Sequence, residues 1–208
     1  MTALPITPTR RTRTLLCGLA ACFGVSLLGL PAATAQIIPS AGLHGYLTDR
    51  IDLAETGGQE LELYGRSGWH AGLDFRLGKK ALYAQPGVHY YKTNTEVSNL
   101  REVGVPTQLL NQRHTAVKVP LMAGLRLGRN GTAAVHLHGG PVATFALSDR
   151  LAYDLGGQRE LTVGAQAGVA VDLLRVNVYA RYEWGLTPAF NDAAATADVL
   201  TVGVGLVL

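Results

Sequence analysis

The stretch Leu161–Leu186, LTVGAQAGVAVDLLRVNVYARYEWGL, alternates in character almost without a break. Leu161, Val163, Ala165, Ala167, Val169, Val171 and Leu173 fall on one parity, with Thr162, Gly164, Gln166, Gly168, Ala170 and Asp172 between them. In the second half Val176, Val178, Ala180, Tyr182, Trp184 and Leu186 share a parity against Asn177, Tyr179, Arg181, Glu183 and Gly185. A helix would scatter these residues round its circumference. A period of two held this long requires two β-strands, each with one apolar face. An even connection at Leu173–Val176 sets their register: Leu173 faces Val176, Val169 faces Ala180 and Ala165 faces Trp184. On the other face Gly168 lies opposite Arg181, Ala170 opposite Tyr179 and Gly164 opposite Gly185. Small residues then stand across from long ones, as a crowded lumen requires, and a slip by one residue would mix the faces.

Six further segments alternate in the same way. Ala41, Leu43, Gly45 and Leu47 oppose His44 and Tyr46. Leu61, Leu63, Trp69, Ala71, Leu73, Phe75 and Leu77 oppose Glu60, Glu62, Arg66, His70, Asp74 and Arg76. Leu82, Ala84, Pro86, Val88 and Tyr90 oppose Tyr83, Gln85, His89 and Tyr91. Val117, Val119, Leu121, Ala123, Leu125 and Leu127 oppose His114, Lys118 and Arg126. Val135, Leu137, Phe145 and Leu147 oppose His136, His138 and Thr144, and a last segment sets Leu200, Val202, Val204, Leu206 and Leu208 against Thr201, Gly203 and Gly205. The expected fold is all-β: an eight-stranded, antiparallel, up-and-down transmembrane β-barrel. Tight turns at Gly78–Lys80, Gly128–Gly131 and Leu173–Val176 alternate with long connections at Asp49–Gly68, Thr93–Arg113, Ser148–Glu160 and Thr187–Ala197. That alternation belongs to outer-membrane barrels, with short turns on the periplasmic side. Gly57-Gly58-Gln59 and Gly156-Gly157-Gln158 mark two of the long connections as hairpins standing above the membrane.

Residues 1–35 read as a cleaved signal peptide. Arg10, Arg11 and Arg13 precede an apolar run from Leu15 to Leu30, and Ala33-Thr34-Ala35 offers a small-residue cleavage site. The barrel domain is then 36–208. The basic excess of three is those three arginines, so the domain is balanced in charge and carries no basic patch for nucleic acid. Cys17 and Cys22 both fall in the signal segment, which leaves no thiol chemistry to the domain.

Alternation alone also fits a secreted soluble ligand-binding barrel with its apolar face inside. Three observations favour the opposite orientation. The central part of each apolar row lacks Lys, Arg, Asp and Glu, any of which would be expensive in lipid. Trp69, Tyr90, Phe145, Tyr182 and Trp184 lie toward the long-loop ends of their strands, where a membrane-interface girdle would sit. The other face mixes Gly with charge, and Gly weakens a solvated strand surface but makes room in a narrow lumen.

The runs GWHAGLDFRLGKKALYAQPGVHYY, AVKVPLMAGLRLG, GAQAGVAVDLLRVNVYARYEWGL and LTVGVGLVL, spanning most of Ser67–Leu208, resemble the PorT-like outer-membrane protein β-barrel family. The resemblance implies an eight-stranded outer-membrane barrel without a catalytic signature. Such barrels commonly end on an aromatic residue read by the barrel-assembly machinery, whereas this chain ends Val207-Leu208.

The expected lumen is a structural polar network of His70, Asp74, Arg76, His89, His114, Lys118, Arg126, His136, His138, Gln166, Asp172, Arg181 and Glu183, which charge pairing and hydrogen bonding would close. His136 and His138 could act as joint metal ligands, but no acidic residue or cysteine flanks them, so no metal and no cofactor is expected. Neither G-x-S-x-G nor H-E-x-x-H occurs, and no catalytic residue is assigned. The functional expectation is a structural or interaction role through the external hairpins. Its partners would be outer-membrane lipid, the assembly machinery during biogenesis and an extracellular or envelope protein. The competing classes are a narrow channel or transport and secretion component, a lipid-modifying enzyme and the soluble binding barrel.

Overall fold

A computed structural model describes residues 35–47, 50–52, 60–78, 81–98, 110–130, 132–148, 159–188, 196 and 198–208. All of them belong to one compact unit, Thr34–Leu208. The expected signal segment lies outside the described residues except for Ala35, where the first strand begins. The Gly-Gly turns of the two projecting hairpins also lie outside them.

The strands are β1 (Ala35–Tyr46), β2 (Arg50–Asp52), β3 (Glu60–Leu77), β4 (Leu82–Ser98), β5 (Leu110–Asn130), β6 (Ala133–Ser148), β7 (Leu161–Leu173), β8 (Val176–Gly185) and β9 (Val199–Leu206). Consecutive strands from β3 to β9 pair antiparallel, and β1 pairs with both β9 and β3. The sheet therefore closes into an eight-stranded barrel. The short β2 continues the line of β1 upward along β3, Arg50 opposite Glu62.

The β7–β8 register is the one the alternation requires, from Leu173 opposite Val176 to Gly164 opposite Gly185. Its turn places Leu174 at φ 57°, an unusual conformation for a residue with a side chain. Following paired positions round the wall from Ala71 through Ala41, Val204, Val178 and Val171 leads to Val135, close to the opposite end of the wall. Such stagger accompanies strands tilted by roughly 35–45° and leaves an interior only wide enough for side chains.

Closure puts the two faces in opposite surroundings. Leu43, Leu73, Val88, Leu121, Leu137, Val169, Val178, Val202 and Val204 are exposed on the outer wall, while Arg76, Asp74, His70, His89, His136 and Arg181 are buried inside it. The wall is thus an inside-out protein, stable only where hydrocarbon rather than water meets the outer face. The interior is not wholly polar: Ile38, Met122 and Val142 are also buried.

Two expectations need correction. Leu61 and Leu63 were expected on the face of Trp69, but the β3–β4 register shifts between Tyr64 and Ser67. Gly65 and Arg66 there stand against the single Thr95, and the extra residue of such a bulge reverses the parity beyond it. Leu63 consequently pairs with Val97, which shares the parity of the lumen residues Tyr91 and Thr93, and Glu62 pairs with Ser98 on the outer side. The second correction concerns loop length. The connection expected over Thr93–Arg113 is strand at both ends, because the β4–β5 ladder continues to Val97 opposite Leu110, while the hairpin expected within Asp49–Gly68 is paired as far as Asp52 opposite Glu60.

Candidate functional site

The lumen is the site, and each of its charged groups is delivered by strand parity. Near the short-turn rim, Asp172 at the end of β7 accepts hydrogen bonds from three strands. Arg76 Nη1 on β3 lies 2.7 Å from its Oδ2, and Asn177 Nδ2 on β8 lies 2.6 Å from its Oδ1. His136 Nε2 on β6 lies 2.9 Å from the same Oδ2. Arg76 also reaches Gln85 at 3.5 Å and Gln36 at 3.4 Å, and its guanidinium carbon lies 5.2 Å from the Tyr83 ring centre.

Asp74 holds the middle of the lumen. Arg181 Nη2 donates to its Oδ2 at 2.7 Å and His89 Nε2 lies 3.0 Å from its Oδ1. Both carboxylate oxygens are engaged, as a buried charge requires. Farther toward the long-loop rim Lys118 Nζ meets Glu183 Oε2 at 2.6 Å, and the same ammonium sits 4.8 Å from the centre of the Tyr91 ring. His70 stacks on Tyr91 at 5.0 Å between ring centres, and its Nε2 lies 2.6 Å from the Tyr179 hydroxyl. His44 Nε2 lies 2.9 Å from Thr93 Oγ1. Arg76–Asp172, Arg181–Asp74 and Lys118–Glu183 therefore form three charge-compensated pairs, each between strands that are not neighbours in the wall.

Glycines make this density possible. A methyl group at Gly124 would overlap the Tyr83 ring, and one at Gly72 or Gly87 would meet His89 or Asp74. At Gly168 it would come within 2.9 Å of Arg181 Cγ, and at Gly203 within 2.5 Å of the Tyr179 hydroxyl. The lumen glycines are thus the counterpart of its long side chains.

The remaining sequence-selected positions lie near the rims or apart from the pairs. His114 is half-buried opposite Thr93 toward the long-loop rim, and Arg126 is half-buried opposite His136 toward the short-turn rim. His138 and Gln166 are buried between the pairs. His136 and His138 do not act together, since His136 is taken by Asp172. Among the described residues no group of three or more His, Cys, Asp and Glu could hold a metal ion. On the outer wall Trp69 packs against Tyr90 at 5.8 Å and Tyr182 against Trp184 at 4.9 Å, while Phe145 is half-buried opposite Val117. Sequence reasoning counts Asn177 in the lumen but leaves Tyr83, Tyr91, Tyr179 and Thr93 out of the network. All four share the polar parity, and a hydroxyl on that parity is the available signal.

This arrangement ties the charged groups of the lumen to one another across the bore. What it can do is brace the wall and fill the bore. A comparison with curated protein sequences finds no match. Among solved structures, the chain resembles the outer membrane protein OprG from Pseudomonas aeruginosa, with 13% identity and a TM-score of 0.55 over 85% of this chain and 97% of that one. Ail, the attachment invasion locus protein of Yersinia pestis, is similar at 14% identity and a TM-score of 0.46, over 84% of this chain and 99% of the other. A family model described as an outer membrane protein beta-barrel domain matches residues 34–191. The chain belongs to that family and is a protein of the outer membrane.

Proposed function

We propose that this barrel is a closed, non-catalytic anchor whose work is done by the sheet it raises beyond its long-loop rim, and that it falls in the PorT-like branch of its family. One observation carries the reading. From the level of Trp69 and Tyr90, β3 continues to Glu60 and β4 to Ser98, with β2 and the start of β5 beside them, whereas β8 ends at Gly185 next to Trp184. One side of the wall therefore stands well clear of the lipid. Beyond the bulge, Leu63 and Val97 occupy register positions on the lumen side and Glu62, Tyr64 and Glu96 on the outer side. A two-faced sheet of this kind suits recognition of an extracellular or envelope protein. Outer-membrane lipid surrounds the wall below it, and the barrel-assembly machinery inserts the chain. The three ion pairs crossing the bore argue against solute passage.

Photo-crosslinking in cells tests the proposal. A crosslinking amino acid at position 62 or 96 is expected to trap a discrete protein adduct, and one at position 88 or 204 on the lipid-facing wall only lipid. Equal protein adducts at all four positions, or none at 62 and 96, would overturn it. Stable conductance steps of the purified barrel in planar bilayers would replace it with the channel reading.

A further inference from the structure

Charge is divided unevenly between the two ends of the barrel. The segments that close its short-turn end, 77–82, 126–134 and 173–176, contain Lys79, Lys80, Arg126, Arg129 and Arg175 and no Asp or Glu. Asp172, which borders them, is already bound to Arg76, Asn177 and His136. Every long connection, by contrast, contains acid, among them Asp49, Glu102, Asp149 and Asp192. Lys79 and Lys80 lie outside the described residues, so the geometry rests on the two turns that follow. Those turns stand side by side. Asn130 pairs with Ala133, Ala133 with Leu173 and Leu173 with Val176, and the Leu174 N–H donates to the Thr132 carbonyl at 2.8 Å. Arg129, at its register position opposite Ala134, and the exposed Arg175 are thereby held on one stretch of rim. Arg175 has no carboxylate partner among the described residues.

The same stretch is apolar as well as basic. Leu127, Leu173 and Leu174 are 54%, 51% and 79% exposed, and Leu174 stands in the turn itself. A turn standing in water favours polar residues at its tip. Leucine beside arginine instead places this rim where acyl chains give way to headgroups. Binding to such a surface takes two signals, buried apolar area and attraction of cations to acidic lipid. The combination selects the occupant. A soluble anionic polymer would answer the arginines and leave the leucines wet. A zwitterionic lipid would cover the leucines but brings a cation of its own to a rim already rich in them. An anionic phospholipid answers both, since a guanidinium matches a phosphate through paired hydrogen bonds. We propose that the β5–β6 and β7–β8 turns form a binding surface for anionic phospholipid of the periplasmic leaflet. Arg129 and Arg175 meet its phosphate, and Leu127, Leu173 and Leu174 meet its acyl chains. The barrel then gathers acidic lipid at one end only.

The two ends of β7 supply the test. Leu173 and Leu161 are similarly exposed on the outer wall, at 51% and 47%, but only Leu173 borders the basic turns. A fluorophore is attached at position 173 or 161 of the whole barrel, in phosphatidylcholine vesicles with a minor share of phosphatidylglycerol brominated on its acyl chains. Each cation at an acidic surface is worth about fivefold, so quenching at 173 should exceed that at 161 several-fold. Brominated phosphatidylcholine at the same share should quench the two positions alike. The excess should vanish in high salt and in Arg129→Gln with Arg175→Gln, and persist in Arg129→Lys with Arg175→Lys. Equal quenching by the acidic lipid at both ends, or an excess that survives salt or the glutamine pair, would overturn the proposal. The salt and wild-type comparisons decide it even where the glutamine pair does not fold. A detergent-solubilised barrel that sediments with peptidoglycan through Arg129 and Arg175, with no preference for acidic lipid, would overturn it in favour of an anionic polymer.

Discussion

Arg181 Nη2 lies 2.7 Å from Asp74 Oδ2, a bond between β8 and β3 that spans the bore rather than following the wall. Their side chains are 3% and 1% exposed, so neither charge has bulk water to fall back on. Asp74→Asn would leave Arg181 as an uncompensated buried cation, which costs about 3–5 kcal/mol. The heat-modifiable transition should drop sharply. The paired change Asp74→Leu with Arg181→Met should recover part of the loss, because it removes both charges together while leaving His89 without its acceptor. A double variant no better than Asp74→Asn would mean that the pair does not act as a unit.

Gly124 and Tyr83 are coupled by volume. A Cβ at position 124 would fall within the Tyr83 ring, so Gly124→Ala should destabilise by about 1–3 kcal/mol through overpacking. Tyr83→Leu added to Gly124→Ala should recover part of that loss. The double-mutant cycle measured by urea unfolding in detergent should show a coupling of about 0.5–3 kcal/mol.

The β7–β8 turn carries a stabilising change in waiting. Leu174 at φ 57° is held in a conformation that costs a residue with a side chain about 1–2 kcal/mol. Leu174→Gly relieves this, with part of the gain returned as unfolded-chain entropy, for a net stabilisation of about 0.5–1 kcal/mol. Leu174→Val, branched at Cβ, should shift the unfolding midpoint the opposite way.

Val169 and Leu173 are equally exposed on the outer face of β7, at 48% and 51%, but Leu173 closes the strand at the turn. In lipid, Val169→Arg should cost about 2–4 kcal/mol and Leu173→Arg about 0–1. In a water-facing wall the two would be alike, so the difference in folding free energy in liposomes reports depth rather than exposure.

The sequence made the wall legible because alternation and an even connection together leave one register for β7 and β8. It also identified Asp74, Arg181, Lys118 and Glu183 as interior residues. Which of them meet depends on the stagger of the whole barrel: Asp74 and Arg181 are 107 positions apart, and no local pattern encodes their encounter. The bulge at Gly65-Arg66 escaped because Glu60–Leu63 alternates equally well on either parity, and only the glycine hinted at a break. The upper part of β4 escaped for another reason. Thr93-Asn94-Thr95-Glu96 has no apolar side to alternate with, since that part of the strand continues past the lipid band.

The inversion of the wall is open to one direct measurement. Cys17 and Cys22 are the only cysteines in the sequence, so a chain starting at Ala35 carries none and accepts single cysteines cleanly. A fluorophore attached in turn at each position from 176 to 184, in vesicles of brominated lipid, reports which side chains touch hydrocarbon. Quenching at 176, 178, 180, 182 and 184 with protection at 177, 179, 181 and 183 is the predicted result. Quenching of the odd set, or no alternation at all, would contradict it.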